Sequence, residues 1–142
     1  MKTYGGFFVS RVHQLCGRVF EKLLKESGVE AFNGAQGRIL YVLWEHGQLS
    51  MVDISKYTSL AKTTLTSMID RMEENGLVTR AYDTRDRRQI LVSITEKTKN
   101  YHIKYNEISD QMNAIFYNGF SEKEIKALEN ALAKIISNLE QQ

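Results

Sequence analysis

The sequence has 142 residues and a mass of 16.4 kDa, which is enough for one domain that buries a core without disulfides or metal ions. It contains a single cysteine, so an internal disulfide and a cysteine-rich zinc site are excluded. The formal net charge of +2 is too small to indicate nucleic-acid binding, and any basic surface must come from local clustering of charge.

The hydropathy of the chain predicts a soluble protein, and its lack of proline predicts a mostly helical one. No apolar run approaches the roughly eighteen residues that a membrane helix needs, and residues 1–17 lack the continuous apolar stretch of a signal peptide. We therefore expect a cytoplasmic protein with no membrane partner. Proline is absent, which favours uninterrupted helices over turns and edge strands.

Helical patterns fill the first half of the chain. Apolar side chains spaced by three and four residues predict a first helix that ends near Gly28. Asn33 and Gln36 form a capping-box pattern at the start of the second helix, and Gly76 is a left-handed stop signal for the fourth. The four predicted helices span residues 9–27, 33–46, 50–57 and 61–75.

A change of period then predicts a hairpin, followed by two more helices. Residues 77–81 and 90–94 are rich in β-branched side chains, and the charged residues between them must project into solvent. Thr95 caps a long helix that ends at Gly119, and the capping box Ser121–Glu124 opens the last helix. The predicted order is α-α-α-α-β-β-α-α, a mostly α fold with a small β-hairpin.

Two helices separated by a tight break and followed by a charged hairpin are typical of a winged helix-turn-helix. On a helical wheel, Leu65, Ile69 and Met72 face the core, and the opposite face is short, polar and rich in hydroxyl groups. Such a face suits close contact with a major groove, and an ordinary solvated helix face is the alternative. The candidate DNA-contacting residues of this recognition helix are Lys62, Thr63, Thr64, Thr66, Ser67 and Arg71.

The hairpin concentrates the positive charge of the chain. Residues 78–90 hold four arginines and two aspartates, a local charge of +2 that equals the excess of the whole chain. Arginines on a projecting loop can bind phosphates or enter a narrow minor groove, whereas a salt-bridged turn is the alternative. Asp86 can brace Arg88 through a bidentate pair. The candidate DNA contacts of this wing are Arg80, Arg85, Arg87 and Arg88, with Asp86 as the brace.

The region from Ser59 to Glu96 resembles the signature of the MarR family. That signature is a recognition helix, then Glu-x-x-Gly-Leu-Val-x-Arg, Asp-x-Arg-Asp-x-Arg, a hydrophobic strand and Leu-Thr. Thr98 stands where the family usually has a glycine, a departure that we expect to alter only the start of the long helix. The matching positions are Glu73, Gly76, Leu77, Val78, Arg80, Asp83, Asp86, Arg88 and Thr95.

The resemblance implies a homodimeric transcriptional regulator that binds double-stranded DNA. In the family, the terminal helices of two copies interleave and place the recognition helices about 34 Å apart, which predicts a pseudo-palindromic operator. We therefore expect dimerisation helices in residues 1–32 and 96–142 and a winged helix-turn-helix in residues 33–95. The apolar stripes of the terminal helices support a dimer, and a monomer whose helices pack on themselves is the alternative.

Family members are often released from DNA by a small ligand or by oxidation of a cysteine. Cys16 lies on an apolar stripe, which fits a buried hydrophobe better than a redox sensor. The three histidines are scattered, so neither a metal site nor a cofactor is expected. The effector pocket implied by the resemblance involves His13, Phe20, Tyr41 and Trp44.

The sequence favours a repressor over two other classes of protein. It contains no glycine-rich phosphate loop, nucleophile elbow or paired acidic motif, so an enzyme is not expected. The remaining alternative is a winged helix that binds protein as an antirepressor or adaptor, because the fold alone does not determine the partner. Such a module would carry an apolar or acidic face on residues 63–71 and a short neutral wing, and the sequence has neither.

Overall fold

The computed structural model describes residues 1–142 and is mostly helical with a small antiparallel sheet, as predicted. None of its helices has a stretch long and apolar enough to cross a bilayer. In chain order the elements are α1 (Gly5–Glu26), α2 (Gly34–His46), β1 (Leu49–Ser50), α3 (Met51–Thr58), α4 (Lys62–Glu74), β2 (Val78–Tyr82), β3 (Ile90–Ile94), α5 (Glu96–Lys99), α6 (His102–Phe116) and α7 (Glu122–Glu140).

Local capping determines where the helices begin and end. The predicted capping box of α2 is present, since Asn33 Oδ1 accepts from the backbone N–H of Gln36 and Gln36 Oε1 accepts from that of Asn33. Gly76 follows α4 with a φ of 73°, as its role as a stop signal requires. Ser59 has a φ of 60° and makes the tight turn between α3 and α4. This turn confirms the predicted break of the helix-turn-helix.

The sheet has the strand order β1-β3-β2, with β3 in the centre. The predicted hairpin is confirmed, with Arg80 opposite Val92 and Tyr82 opposite Ile90. The third strand, β1, was not predicted, and Leu49 lies opposite Val92 on the other edge of β3. Two residues are too few to show the alternation that identifies a strand, so only the packing against β3 reveals it.

One core joins the winged helix-turn-helix to α1 and α6. The predicted inner face of α4 is confirmed, because Leu65, Ile69 and Met72 are at most 1% exposed. Leu24 of α1 and Tyr105 and Ile108 of α6 belong to the same cluster. The other buried members are Val29, Phe32, Ile39, Leu40, Leu43, Ile54, Leu77, Val78 and Val92.

The single long helix predicted after Thr95 is wrong, because the structure divides it into α5 and α6. Thr98, at the position where a glycine was expected, is fully buried. Its hydroxyl lies 3.1 Å from the carbonyl oxygen of Leu77 and 2.8 Å from that of Thr95, and it accepts from the backbone N–H of Thr95 at 3.0 Å. Thr98 thus connects the segment that follows α4 to the start of α5.

The terminal helices leave apolar faces uncovered within one chain. No residue of α7 is buried, although its predicted stripe is present. Phe7 in α1 is 65% exposed and Leu139 in α7 is 67% exposed. Exposed apolar side chains that cluster on a helix are typical of an interaction site. The other large apolar side chains exposed on these helices are Phe8, Val9, Val12, Leu15, Ile135 and Ile136.

Candidate nucleic-acid interface

Only Asp70 and Glu73 among the polar side chains of α4 form a hydrogen bond or ion pair with another element, in both cases with Arg80 of β2. The apolar side of α4 packs into the core, so the polar residues on the other side must face solvent. Thr66 is the one hydroxyl of this face that is used within the helix, and it donates to the carbonyl oxygen of Lys62 at 2.8 Å. The structure exposes every candidate on this face, namely Lys62, Thr63, Thr64, Thr66, Ser67 and Arg71.

The wing consists of β2, β3 and the loop that joins them, and two aspartates shape that loop. The backbone N–H of Asp83 donates to the carbonyl oxygen of Gln89, which closes the loop. Asp83 Oδ1 accepts from the backbone N–H of Arg85 at 2.8 Å, and Asp86 Oδ1 accepts from that of Arg88 at 3.1 Å. Aspartates that bond the backbone two residues ahead favour tight turns. These carboxylates therefore organise the loop that presents the arginines.

The predicted brace between Asp86 and Arg88 is present. Arg88 Nε lies 3.0 Å from Asp86 Oδ1, and Arg88 Nη2 lies 3.3 Å from Asp86 Oδ2. Hydrogen bonding to Arg88 lowers the pKa of Asp86 below its ordinary value, so the pair is charged at neutral pH. The Arg88 side chain remains 91% exposed. A guanidinium has five N–H donors, so Arg88 is directed by Asp86 and still has donors for a phosphate or a base.

Arg80 lies in a different environment from the other arginines of the wing, because it contacts α4. Its guanidinium contacts Asp70 at 2.8 Å and Glu73 at 2.9 Å, and its side chain is only 26% exposed. Hydrogen bonding to Glu73 raises the pKa of Arg80 and lowers that of Glu73. Two carboxylates of α4 thus neutralise Arg80, one of the four arginines predicted as DNA contacts of the wing. The exposed arginines of the wing are Arg85, Arg87 and Arg88.

A cleft of about 380 Å³ lies where α3, α4 and the wing meet. Its lining includes Lys56, Lys62, Arg80 and Arg88 and no carboxylate. The sequence interpretation missed Lys56, which is exposed in the last turn of α3 and forms no ion pair. Its position in the first helix of the motif was the available signal, because that helix crosses the DNA backbone in such proteins.

The four residues predicted for an effector pocket do not share one cavity. His13 and Phe20 line a cavity of about 520 Å³ between α1 and α2, together with Arg18 and Arg38. Trp44 lines a separate cavity of about 340 Å³ near the start of α6. Tyr41 lines neither of these two cavities. The structure therefore brings only His13 and Phe20 together around one space.

The aromatic residues of this region converge on Tyr105, which the sequence interpretation did not include in the effector pocket. The ring of Tyr105 lies 5.6 Å from that of Phe20, 6.0 Å from that of Tyr41 and 5.4 Å from that of Trp44. Burial raises the pKa of Tyr105. Phe20, Tyr41 and Trp44 thus pack around α6, which gives them a structural role in joining α1 and α2 to it.

The environment of Cys16 does not favour a reactive thiolate. Its side chain is half-buried in α1, and this burial raises the pKa of the thiol despite the opposing charge of Arg38. Reactive cysteines have lowered pKa values in exposed, electropositive surroundings. No three His, Cys, Asp or Glu side chains lie close enough together to hold a metal ion.

Comparison with known proteins agrees with this architecture. The model of the MarR family matches residues 32–90. The organic hydroperoxide resistance transcriptional regulator of Bacillus subtilis is 32% identical over 102 residues, which cover 72% of this chain and 68% of the relative. The transcriptional repressor IacR of Pseudomonas putida is 28% identical over 134 residues, which cover 94% of this chain and 78% of the relative.

A solved structure shows the same fold over almost the whole chain. A mutant of MarR from E. coli, complexed with operator DNA, superposes with a TM-score of 0.81 and 21% identity. The match covers 95% of this chain and 99% of that protein. The relatives are transcriptional regulators rather than enzymes. By its winged helix-turn-helix, its arginine-tipped wing and these matches, the chain belongs to the MarR family.

Proposed function

We propose that this protein is a transcriptional repressor that binds a pseudo-palindromic operator in double-stranded DNA as a homodimer. The observation that carries the proposal is the juxtaposition of an exposed hydroxyl-rich face on α4 with three exposed arginines on the neighbouring wing. Action on DNA would place the protein in the cytoplasm. Both named relatives regulate transcription, and IacR is a repressor, which supports the direction of regulation.

The recognition helix α4 would read the major groove. Threonine and serine hydroxyls can donate to phosphates or base edges, and threonine methyl groups can contact thymine methyl groups. Lys62 lies at the first position of α4 and Arg71 in its last turn, so the two cations flank the hydroxyl-rich face. We assign contacts with the groove and its phosphates to Lys62, Thr63, Thr64, Thr66, Ser67 and Arg71.

The wing would contact the adjacent minor groove. Arg88, oriented by Asp86, would enter the groove, where the negative potential of a narrow stretch attracts a guanidinium. Arg85 and Arg87 would bind the phosphates beside it. Lys56 would contact the backbone from α3, across the cleft that it shares with Lys62 and Arg88.

The uncovered apolar faces of α1 and α7 support a homodimer. A second copy would bury side chains such as Phe7 and Leu139, which one chain leaves in contact with water. Two-fold symmetry would then place two α4 helices about 34 Å apart, on successive turns of the same face of DNA. We assign residues 1–32 and 96–142 to dimerisation and residues 33–95 to DNA reading.

A small-molecule effector would fit the cavity between α1 and α2. Its lining combines the ring of Phe20 with the guanidinium groups of Arg18 and Arg38, beside His13 and the single carboxylate of Glu21. This combination suits a compact anion with an apolar body. The cavity adjoins both a dimerisation helix and α2, so an occupant could change the separation of the two recognition helices.

The experiment that tests the proposal is a mobility shift with the DNA upstream of the protein's own gene, carried out across a series of salt concentrations. A steep fall of affinity with salt, together with a footprint over two turns of DNA, is the expected result. Binding no tighter than that of a random duplex would contradict the proposal. It would favour the alternative of a protein-binding winged helix that acts as an antirepressor or adaptor.

A further inference from the structure

Arg80 forms a link between the wing and the recognition helix. Its Nη1 lies 2.8 Å from Asp70 Oδ1, and its Nη2 lies 2.9 Å from Glu73 Oε1. Its backbone N–H also donates to Glu73 Oε2 at 3.1 Å. Asp70 and Glu73 are about one turn apart on α4, so one residue of β2 is held at two levels of the helix. We call Arg80, Asp70 and Glu73 the wing clamp.

The wing clamp lies where apolar contacts between wing and helix end. Leu77 and Val78, at the base of the wing, are buried in the core. Two residues further towards the tip, Arg80 is opposite Val92 of β3. Ala81 and Tyr82, the remaining residues of β2, are exposed. Within β2, the ion pairs of Arg80 are thus the contacts with α4 that lie nearest the tip of the wing.

The chemistry of the wing clamp is suited to holding the wing at a fixed angle to α4. A guanidinium is a planar fork, and contacts from its two terminal nitrogens to separate carboxylates restrict its orientation more than a single ammonium contact would. The Arg80 side chain is 26% exposed, against 91% for Arg88, so the guanidinium of the clamp is better shielded from water than the guanidinium at the tip.

A duplex offers two fixed surfaces to this protein, because the major groove and the adjacent minor groove have a set separation. The helix and the wing can contact both grooves together only at a limited range of angles between them. A wing that is free to pivot would lose conformational entropy on binding, whereas a clamped wing has already lost it on folding. The clamp would therefore contribute to affinity without any contact of its own with DNA.

We propose that Arg80 is a positioning residue that acts through the wing: it holds the wing at the angle at which α4 and Arg88 contact one duplex, and it does not itself bind DNA. This inference rests on the proposed function. It assigns Asp70 and Glu73 to the same task, although their negative charge opposes DNA binding by simple electrostatics.

The decisive experiment uses Asp70→Asn and Glu73→Gln, with Glu74→Gln as the matched control. Each change removes one negative charge from α4, and Glu74 is an exposed neighbour that forms no ion pair. If only the field of the protein mattered, all three variants would bind an operator duplex more tightly. The clamp predicts that Glu73→Gln weakens binding by about tenfold and Asp70→Asn by several-fold, whereas Glu74→Gln does not weaken it.

A double-mutant cycle then asks whether Arg80 acts through the wing. Arg80→Ala should cost much less in an Arg88→Ala background than in the wild type, because the wing contact is already lost. Arg80→Lys should restore part of the affinity. Hydroxyl-radical footprints of Glu73→Gln should lose protection in the minor groove while the major-groove contacts persist. Thermal unfolding of each variant checks that the fold is retained.

Two results would overturn the inference: binding of Asp70→Asn and Glu73→Gln as tight as that of Glu74→Gln, or additive costs of Arg80→Ala and Arg88→Ala. A wild-type protein that binds no duplex specifically would instead contradict the proposed function. In that case the hydrogen-exchange rates of the β2 amides test whether the clamp holds the wing against α4. Faster exchange in Glu73→Gln than in Glu74→Gln supports it, and equal exchange overturns it.

Discussion

Replacement of Arg88 by alanine tests the wing assignment most directly. The Arg88 side chain is 91% exposed and its only ion pair is with Asp86, so its removal should change the free energy of unfolding by less than about 1 kcal/mol. A guanidinium in a groove contributes about 1–3 kcal/mol to DNA binding, which corresponds to a loss of about 5- to 140-fold in affinity for each of the two wings of a dimer. The variant should therefore fold normally and bind DNA poorly.

The salt dependence supplies a second, independent magnitude. If each Arg88 neutralises one phosphate, a dimer loses two such contacts, and the slope of log K against log salt should decrease by about 1.8. Fluorescence anisotropy with a labelled operator duplex at several salt concentrations measures both the affinity and the slope. Lys123→Ala is the control, because it removes the same charge from an exposed residue at the start of α7 that forms no ion pair.

Asp86→Asn separates the brace from the charge. Asparagine keeps the oxygen that accepts from the backbone N–H of Arg88 but removes the bidentate ion pair. The variant gains positive charge on each wing and should nevertheless bind more weakly, because Arg88 is no longer oriented.

Unchanged affinity and slope for Arg88→Ala, with the fold intact, would refute the placement of this arginine in the minor groove.

Three further predictions concern the dimer, the cysteine and the joint at Thr98. Glutamate in place of Leu139 should give a folded monomer with little operator affinity, as measured by analytical ultracentrifugation, because this side chain is 67% exposed in one chain. Cys16→Ser should bind DNA like the wild type with or without peroxide. Because burial raises the pKa of the Cys16 thiol, this thiol stays protonated at neutral pH in the wild type. Its alkylation should accelerate only as the pH rises towards that raised pKa. Thr98→Val should lower the free energy of unfolding in urea by about 1–3 kcal/mol, because it removes the buried hydroxyl that donates to a backbone carbonyl oxygen and accepts from the backbone N–H of Thr95, whereas Thr98→Ser should retain most of the stability.

Much of the fold could be predicted because short-range interactions encode it. The capping box of Asn33 and Gln36 and the stop at Gly76 depend on residues a few positions apart, so their spacing is visible in the sequence. The same holds for Asp86 and Arg88, which are two residues apart and form the predicted pair. The strand β1 is the counterexample, because two residues are too few to show the alternation that identifies a strand.

The candidate site could be predicted only in part, for a related reason. Exposure of the outer face of α4 follows from the period of its apolar residues. The partners of Arg80 do not follow from any period, because Asp70 and Glu73 lie on another element and reach it only through the angle between α4 and the wing. Counting charges along residues 78–90 therefore overestimated the free positive charge of the wing.

The sequence by itself determined that this chain carries a winged helix-turn-helix with an arginine-tipped wing, because caps, periodicity and charge clustering act within a few residues of each other. The tertiary structure decided which arginines are free, since Arg80 is neutralised by α4 while Arg88 remains exposed. It also separated Trp44 from the cavity that His13 and Phe20 share. Such relations depend on how helices and strands pack, and the same local patterns are compatible with several packings.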